Sequence, residues 1–441
     1  MEKQLELEKR LGSFDRGERR NSLAELHRML MRGEVAAVPE IPVANLHCHT
    51  FFSFNAYGYS PSSIAWEAKK RGLFAAGIID FDVLDGVDEF LEASSLLGLR
   101  CVAGIESRVF IPEWKDVQIN SPGEPGICYF MGTGFIVGDP KMRESEPSLR
   151  RMHDLAQERN RAVLGRVNEY LGDLKVDWER DVLSLTPSGN PTERHMVEAL
   201  DRKSCDIFPD PVKRAAFWSE ALGKKKEEVL TLFRTPIDFR LFIRARLMKS
   251  GGPGYTAPDG SGFPPLQEMV SMTRALGAVP TQGWLDGTRD GEKDPDILVD
   301  FMTAAGSDCL SIVPDRNWNI RDEEERRTKV CNLYRIVEAA DKRNIPVIAG
   351  TEMNKHGQPF VDDFFSEALK PVADVFMRGA RIVCGHTLLR RAVGIGLSSP
   401  EVEERFRGDL KKRNLFFREL GELVPSHETD GIVKTMWEKS L

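Results

Sequence analysis

The sequence has no apolar run approaching the roughly 18 residues that a membrane-spanning helix needs. Its charged start, Met1 to Arg10, lacks the apolar stretch of a secretory leader, so a cytoplasmic protein is the expectation. Cysteine is scarce and unpatterned. The seven residues Cys48, Cys101, Cys128, Cys205, Cys309, Cys331 and Cys384 are an odd number without C-x-x-C spacing, which argues against a disulfide framework and against a Cys-rich zinc module. Positive charge is not in excess either. A formal net charge of −7 disfavours binding of long nucleic acid by bulk electrostatics, while a local basic rim could still grip a phosphate. Internal repeats and low-complexity segments are missing, which excludes solenoids and disordered linkers.

What is present is an ordinary soluble composition, 41% hydrophobic and 29% charged over 441 residues, enough to bury a large core. Residues 1–40 read as a helical arm that covers a larger body or forms an oligomer contact. Ser22 and Glu25 make a capping-box pattern there, and Leu23, Leu26 and Leu30 share a helical face. From Val43 the pattern becomes short apolar runs alternating with helices: Val43 to Leu46, Ala75 to Ile79, Cys101 to Ile105 and Ile127 to Val137. Between the first two, Ser60 suits a helix cap, Pro61 a first turn and Gly72 a stop. Such repetition predicts a parallel (β/α) sheet or barrel.

The alternation halts after Asp139, and residues 140–262 read as a polar helical insert that includes the turn Gly251-Gly252-Pro253-Gly254. It resumes with a helix at Leu266 to Leu276 and strands at Ala278 to Thr281, Cys309 to Val313, Pro346 to Ala349 and Arg381 to Cys384. The barrel is thus assigned to residues 41–139 and 263–397, and residues 398–441 to a helical tail.

In His47-Cys48-His49 the imidazoles stand at i and i+2 on a strand end, so they point to one side and can converge on a metal ion, while Cys48 points away. A bare H-x-H is a weak signal. Glu106 and Glu352 strengthen it, because each ends a strand on the face where an α/β barrel builds its site. Two imidazoles and two carboxylates suit zinc, manganese or iron and leave a position for water.

The segment Asn45-Leu46-His47-Cys48-His49-Thr50-Phe51-Phe52-Ser53, with Tyr59-Ser60-Pro61, Ile78-Ile79-Asp80-Phe81-Asp82, Gly104-Ile105-Glu106 and Gly350-Thr351-Glu352-Met353-Asn354, resembles the motif series of the PHP family, named for polymerase and histidinol phosphatase domains. Arg194-His195-Met196-Val197-Glu198-Ala199-Leu200 is similar to a helix start in its stand-alone, insert-bearing phosphoesterases, and the likeness covers most of residues 43–356. The resemblance implies a distorted seven-stranded TIM-like barrel and, in typical members, three metals. His47, His49, Glu106 and Glu352 match the first site, with Glu352 in place of an aspartate. Histidines expected for the other sites are replaced by Tyr129, Gln282, Phe81 and Asn354, with Asn55 where an acid or histidine is usual. One divalent ion is therefore expected, and the replaced positions should wall a substrate site, with Phe81 apolar and Asn354 hydrogen-bonding.

Asp80, or Asp82 beside it, is expected to orient a ligand histidine or act on the activated water, and otherwise to cap a loop. His195 is expected to face the cleft as a proton donor or acceptor, the insert forming a cap at the barrel mouth. Arg108, Arg316 and Lys355 follow strand ends and could clamp an anion, Arg108 foremost. His356 and His386 are candidate substitute ligands, whereas His27, His153 and His427 read as surface or packing residues. The resulting expectation is a metal-dependent hydrolase of a phosphorylated small molecule. Its rivals are a PHP-like binding protein with one structural metal and a one-metal hydrolase of an amide, ester or lactone; a homo-oligomer is left open.

Overall fold

The computed structural model describes residues 2–136, 141–257, 260–426 and 428–440, and side chains outside 141–145. Val137, Asp139 and His427 lie outside the described residues. Seven strands form one sheet in chain order: β1 Ile41–Cys48, β2 Leu73–Phe81, β3 Arg100–Phe110, β4 Ile127–Thr133, β5 Val279–Trp284, β6 Cys309–Ile312 and β7 Val347–Ala349. The sheet curls until its ends meet. His49 N–H donates to the Glu352 carbonyl at 2.8 Å and Glu352 N–H to the His47 carbonyl at 2.7 Å, with a parallel bridge between Cys48 and Glu352. The chain is a seven-stranded barrel with helical extensions.

One strand breaks the expected parallel order. β4 runs antiparallel to both β3 and β5. A parallel pair needs a crossover, usually a helix, but residues 111–126 hold only the single turn Pro112–Trp114 among short loops. β4 therefore starts at the mouth and ends at the base. The insert consequently leaves from the base and not, as the expected topology had it, from a strand end at the mouth. It climbs through the 31-residue helix Lys141–Leu171, about 45 Å long at 1.5 Å per residue, which carries the chain past the barrel's rim. There Leu164, Val167, Trp178, Met196, Trp218 and Phe239 belong to an apolar core separate from that of the barrel.

The expected strand Arg381 to Cys384 is instead the middle of the helix Ala373–Val393. Its Ile-Val-Cys run is apolar because the helix is buried from Phe376 to Arg390 on nearly all sides, and a short apolar run does not distinguish a buried helix from a strand. This helix closes the barrel base. A Cβ on Gly379 would collide with the Val347 carbonyl at the start of β7, and one on Gly385 with the Phe417 carbonyl of the helix Leu410–Leu420. Both glycines set how closely the plug approaches.

The arm packs beside the barrel as two helices, Glu2–Arg10 and Arg16–Met31. Ser22 and Glu25 prove to lie inside the second helix, which Asp15 caps by accepting from Glu18 N–H at 2.6 Å. Leu23 and Leu26 face the core, and buried Arg19 pairs with buried Glu89 on the helix Val87–Leu97. Ser60 caps the helix Pro61–Lys70. No helix among the described residues is long and apolar enough to cross a membrane.

Candidate metal centre at the barrel mouth

β1 delivers His47 and, one residue beyond its end, His49 to the inside of the barrel, and Glu106 on β3 faces them. Glu106 Oε2 lies 3.5 Å from His47 Nε2 and 3.2 Å from His49 Nε2. All three side chains are buried, and the three atoms have no hydrogen-bond partner. An unsatisfied buried polar atom costs about 1–3 kcal/mol, so three aimed at one point call for a shared partner. Two imidazole nitrogens and one carboxylate oxygen match the donor set of a borderline divalent cation such as zinc, iron or manganese, so this group can hold a metal ion. Charge balance agrees: burial lowers the pKa of His47, but Glu106 and Glu352 more than reverse that, and the histidines hold Glu106 below the usual carboxylate range despite its burial.

No family model matches the chain. A 75-residue stretch is 35% identical to an error-prone DNA polymerase of Cutibacterium acnes and a 91-residue stretch 33% identical to one of Mycolicibacterium paratuberculosis, covering 17% and 21% of this chain. The chain spans only 7% and 8% of those relatives' length. Among solved structures, a protein from Bifidobacterium adolescentis, provisionally named a metal-dependent phosphoesterase, is similar at 19% identity and TM-score 0.47, over 77% of this chain and 98% of that one. An amidohydrolase from Chromobacterium violaceum, with bound sulfate and no metal, is similar at 14% identity and TM-score 0.49, over 76% and 96%. What the site does must be argued from its own residues.

Glu352 stands apart from the ligand group. Its carboxylate lies outside the group of three converging atoms, and its Oε2 is held by the Arg316 guanidinium and by Asn354 Nδ2 at 3.1 Å. Burial raises its pKa, but Arg316 brings it below the usual range. Glu352 and Met353 adopt left-handed backbone, φ 59° and 55°, unusual for residues with side chains and costing about 1–3 kcal/mol each. The bend turns the chain back over the barrel end, where Ala56 N–H donates to the Met353 carbonyl.

Asp80, expected to orient a ligand histidine or to act on the activated water, has both carboxylate oxygens bonded to the loop that follows β1. It accepts from Thr50 N at 2.7 Å, Thr50 Oγ1 at 2.7 Å and Ser53 Oγ at 2.6 Å. Phe81 stacks on His49 at 4.1 Å between centroids. Asn55 lies beside the ligands as a loop staple, donating to the His49 carbonyl at 2.8 Å. Gln282 turns away from the ligand group: its amide donates to the Gly283 carbonyl at 2.7 Å and lies beside Cys128, because the alternation of β5 puts it on the sheet's other face. Tyr129 faces Arg108 across the β3–β4 pair.

The insert reaches the mouth. Asn190 Nδ2 donates to the Phe81 carbonyl at 2.8 Å and the Phe52 carbonyl at 3.1 Å, and Arg194 Nη2 to Asn354 Oδ1 at 3.2 Å. Asn354 therefore bridges insert and Glu352. His195 is used structurally: its Nδ1 accepts Thr192 N–H at 3.0 Å in a capping box, and its ring meets Phe54 edge-on at 5.2 Å. Burial, with Arg194 beside it, pushes its pKa down to about 4. His386 lies in the plug helix at the opposite end, bonded to the Gly134 carbonyl and Leu397 N–H, and His356 is exposed against Tyr57. Neither is near the ligand group.

Sequence reasoning picked out Arg108 but passed over the rest of the cationic wall that the insert completes. Arg108 and Arg159 flank the Phe263 ring, 5.1 and 4.2 Å from its centroid. Arg108 pairs with Glu124 at 2.7 Å, and Arg244 and Lys249 share Glu193 at 2.8 and 2.7 Å. Burial and then Arg108 push Arg159 down to about 10, and burial and then Arg244 push Arg194 to about 10. Burial is the larger cause in both groups and the neighbouring cation the second, with nearby carboxylates opposing them. The spacing Arg159…Phe263 carries no local pattern, whereas Arg194, beside His195 in the quoted helix start, was readable. A cavity of about 1000 Å³ lies elsewhere, between the arm, the helix Val87–Leu97 and the plug.

Proposed function

We propose that this chain is a metal-dependent hydrolase acting on a phosphorylated small molecule, with one divalent ion, zinc, manganese or iron, held by His47, His49 and Glu106. The observation that carries the reading is the convergence of three orphaned ligand atoms beneath a crowded cationic wall. An ion there supplies Lewis-acid activation of water and of the attacked centre.

The protein's own groups do the rest. Arg316, oriented by Glu352, and Arg194, oriented through Asn354, stand where charge on non-bridging oxygens needs stabilising. Arg108 and Arg159 recognise an anionic group further along the cleft, with Phe263 as an apolar platform between them. Phe81 fixes the His49 ring and presents no donor to the substrate. The motif resemblance to PHP phosphoesterases points the same way.

A panel of phosphomonoesters, phosphodiesters, amides, esters and lactones, assayed with added zinc or manganese and after chelation, tests the reading. Metal-dependent release of phosphate or cleavage of a diester is expected. Hydrolysis confined to amides, esters or lactones would move the chemistry to carbon centres, and a metal-loaded protein inert to the whole panel would make it a binding protein.

A further inference from the structure

Resting on the reading of His49 as a metal ligand, we infer that Ser53, steered by Asp80, is a positioning residue that locks the His49 imidazole in the tautomer carrying its proton on Nδ1, so that the Nε2 lone pair faces the ion. Asp80 is buried, and as a carboxylate it accepts only. Its Oδ2 takes the Thr50 hydroxyl proton at 2.7 Å, and its Oδ1 takes Thr50 N–H at 2.7 Å and the Ser53 hydroxyl at 2.6 Å. The single Ser53 proton is thus committed to a carboxylate, a charge-assisted bond. What Ser53 Oγ retains is lone pairs, and His49 Nδ1 lies 3.2 Å away. That contact is a hydrogen bond only if Nδ1 is the donor. Neutral His49 then has its free lone pair on Nε2, the atom 3.2 Å from Glu106 and without a hydrogen-bond partner.

The other histidine supplies a control within the same site. His47 Nδ1 has only Ser311 Oγ at 3.5 Å, a looser contact with a hydroxyl that no carboxylate pins. His47 is free to exchange tautomers where His49 is not. Thr50, Ser53 and His49 are all wholly buried, so water cannot substitute for a missing partner. Phe81, stacked at 4.1 Å, prevents the ring from turning away. Partners of this kind typically alter metal affinity by about 10- to 100-fold when removed.

The test uses the full chain labelled with ¹⁵N-histidine, metal-free and zinc-loaded, with tautomers read from ring ¹H–¹⁵N couplings and zinc affinity from competition with a chelator. In the wild type, neutral His49 should be protonated on Nδ1. Ser53→Ala should mix its tautomers, leave those of His47 unchanged and weaken zinc binding about 10-fold or more. Asp80→Asn should preserve both, because an amide oxygen at the Oδ1 position still accepts from Thr50 N–H and the Ser53 hydroxyl while the amide nitrogen donates to Thr50 Oγ1. Unchanged His49 tautomers in Ser53→Ala, or an Asp80→Asn zinc affinity as poor as that of Ser53→Ala, would overturn the inference. A wild type that binds no zinc but shows the locked tautomer would instead overturn the metal reading alone.

Discussion

Arg316 and Asn354 hold the same oxygen of Glu352, the guanidinium through Nη2 and the amide at 3.1 Å. This pairing points a cation toward the centre, and Glu352 lies outside the group of three converging ligand atoms. Arg316→Met should leave a buried, unpaired Glu352 and destabilise the metal-free chain by about 1–3 kcal/mol, a discounted figure because the arginine is partly exposed. Metal affinity should rise, since Glu352 becomes free to turn toward the ion, while phosphoester turnover falls at least about tenfold. Chemical unfolding with and without zinc, and initial rates, check the three effects; an unchanged or lower metal affinity would contradict the release of Glu352 toward the ion.

Removal of a ligand should act differently from removal of a core residue. His47→Ala is expected to abolish stoichiometric metal binding while far-ultraviolet dichroism stays unchanged, because the buried group is polar, lies at the mouth end of the barrel and adds nothing to its apolar core. Loss of fold along with the metal would mean the two histidines are structural.

The cationic wall predicts a split in kinetics. Arg159→Gln should raise KM for a phosphorylated substrate about tenfold or more with a smaller change in kcat, since this group recognises a part of the substrate away from the reacting bond. Arg194→Gln, nearer the centre through Asn354, should depress kcat. Equal effects on both constants from both variants would contradict that division.

His386 is buried in the plug with both ring nitrogens bonded, and burial pushes its pKa from 6.5 to about 4. The unfolded chain therefore takes up its proton first as pH falls. The stability due to neutral His386 is complete above about 6.5 and is lost progressively toward pH 4, at up to about 1.4 kcal/mol per pH unit for a single group. Urea unfolding of wild type and His386→Gln at pH 7 and pH 4.5 should show the gap between them narrowing at the lower value. An unchanged gap would show that His386 does not titrate differently in the two states.

Much of the ligand group was legible because it is local: His47 and His49 share one strand end, and Glu106 closes a β-branched and apolar run at the next strand but one. The barrel was legible from alternation alone, yet its fourth strand was misdirected because a parallel order was assumed where no crossover helix exists. The apolar run at Ile382-Val383-Cys384 misled for a different reason, since burial on all sides erases periodicity. Gln282 was placed at the site by position in the chain, but alternation along β5 turns it outward. Asp80 and His195 carry the right functional groups, and only coordinates reveal that hydrogen bonds occupy the Asp80 carboxylate and Nδ1 of His195. Pairings such as Arg159 with Phe263 depend on the path of a long insert and leave no spacing to read.

The most direct test is an anomalous-scattering map of crystals grown with zinc or manganese. One ion per chain, touching His47 Nε2, His49 Nε2 and Glu106 with Glu352 still on Arg316, is the expected result. Density for two or three ions at the mouth, or none between those three side chains, would contradict it.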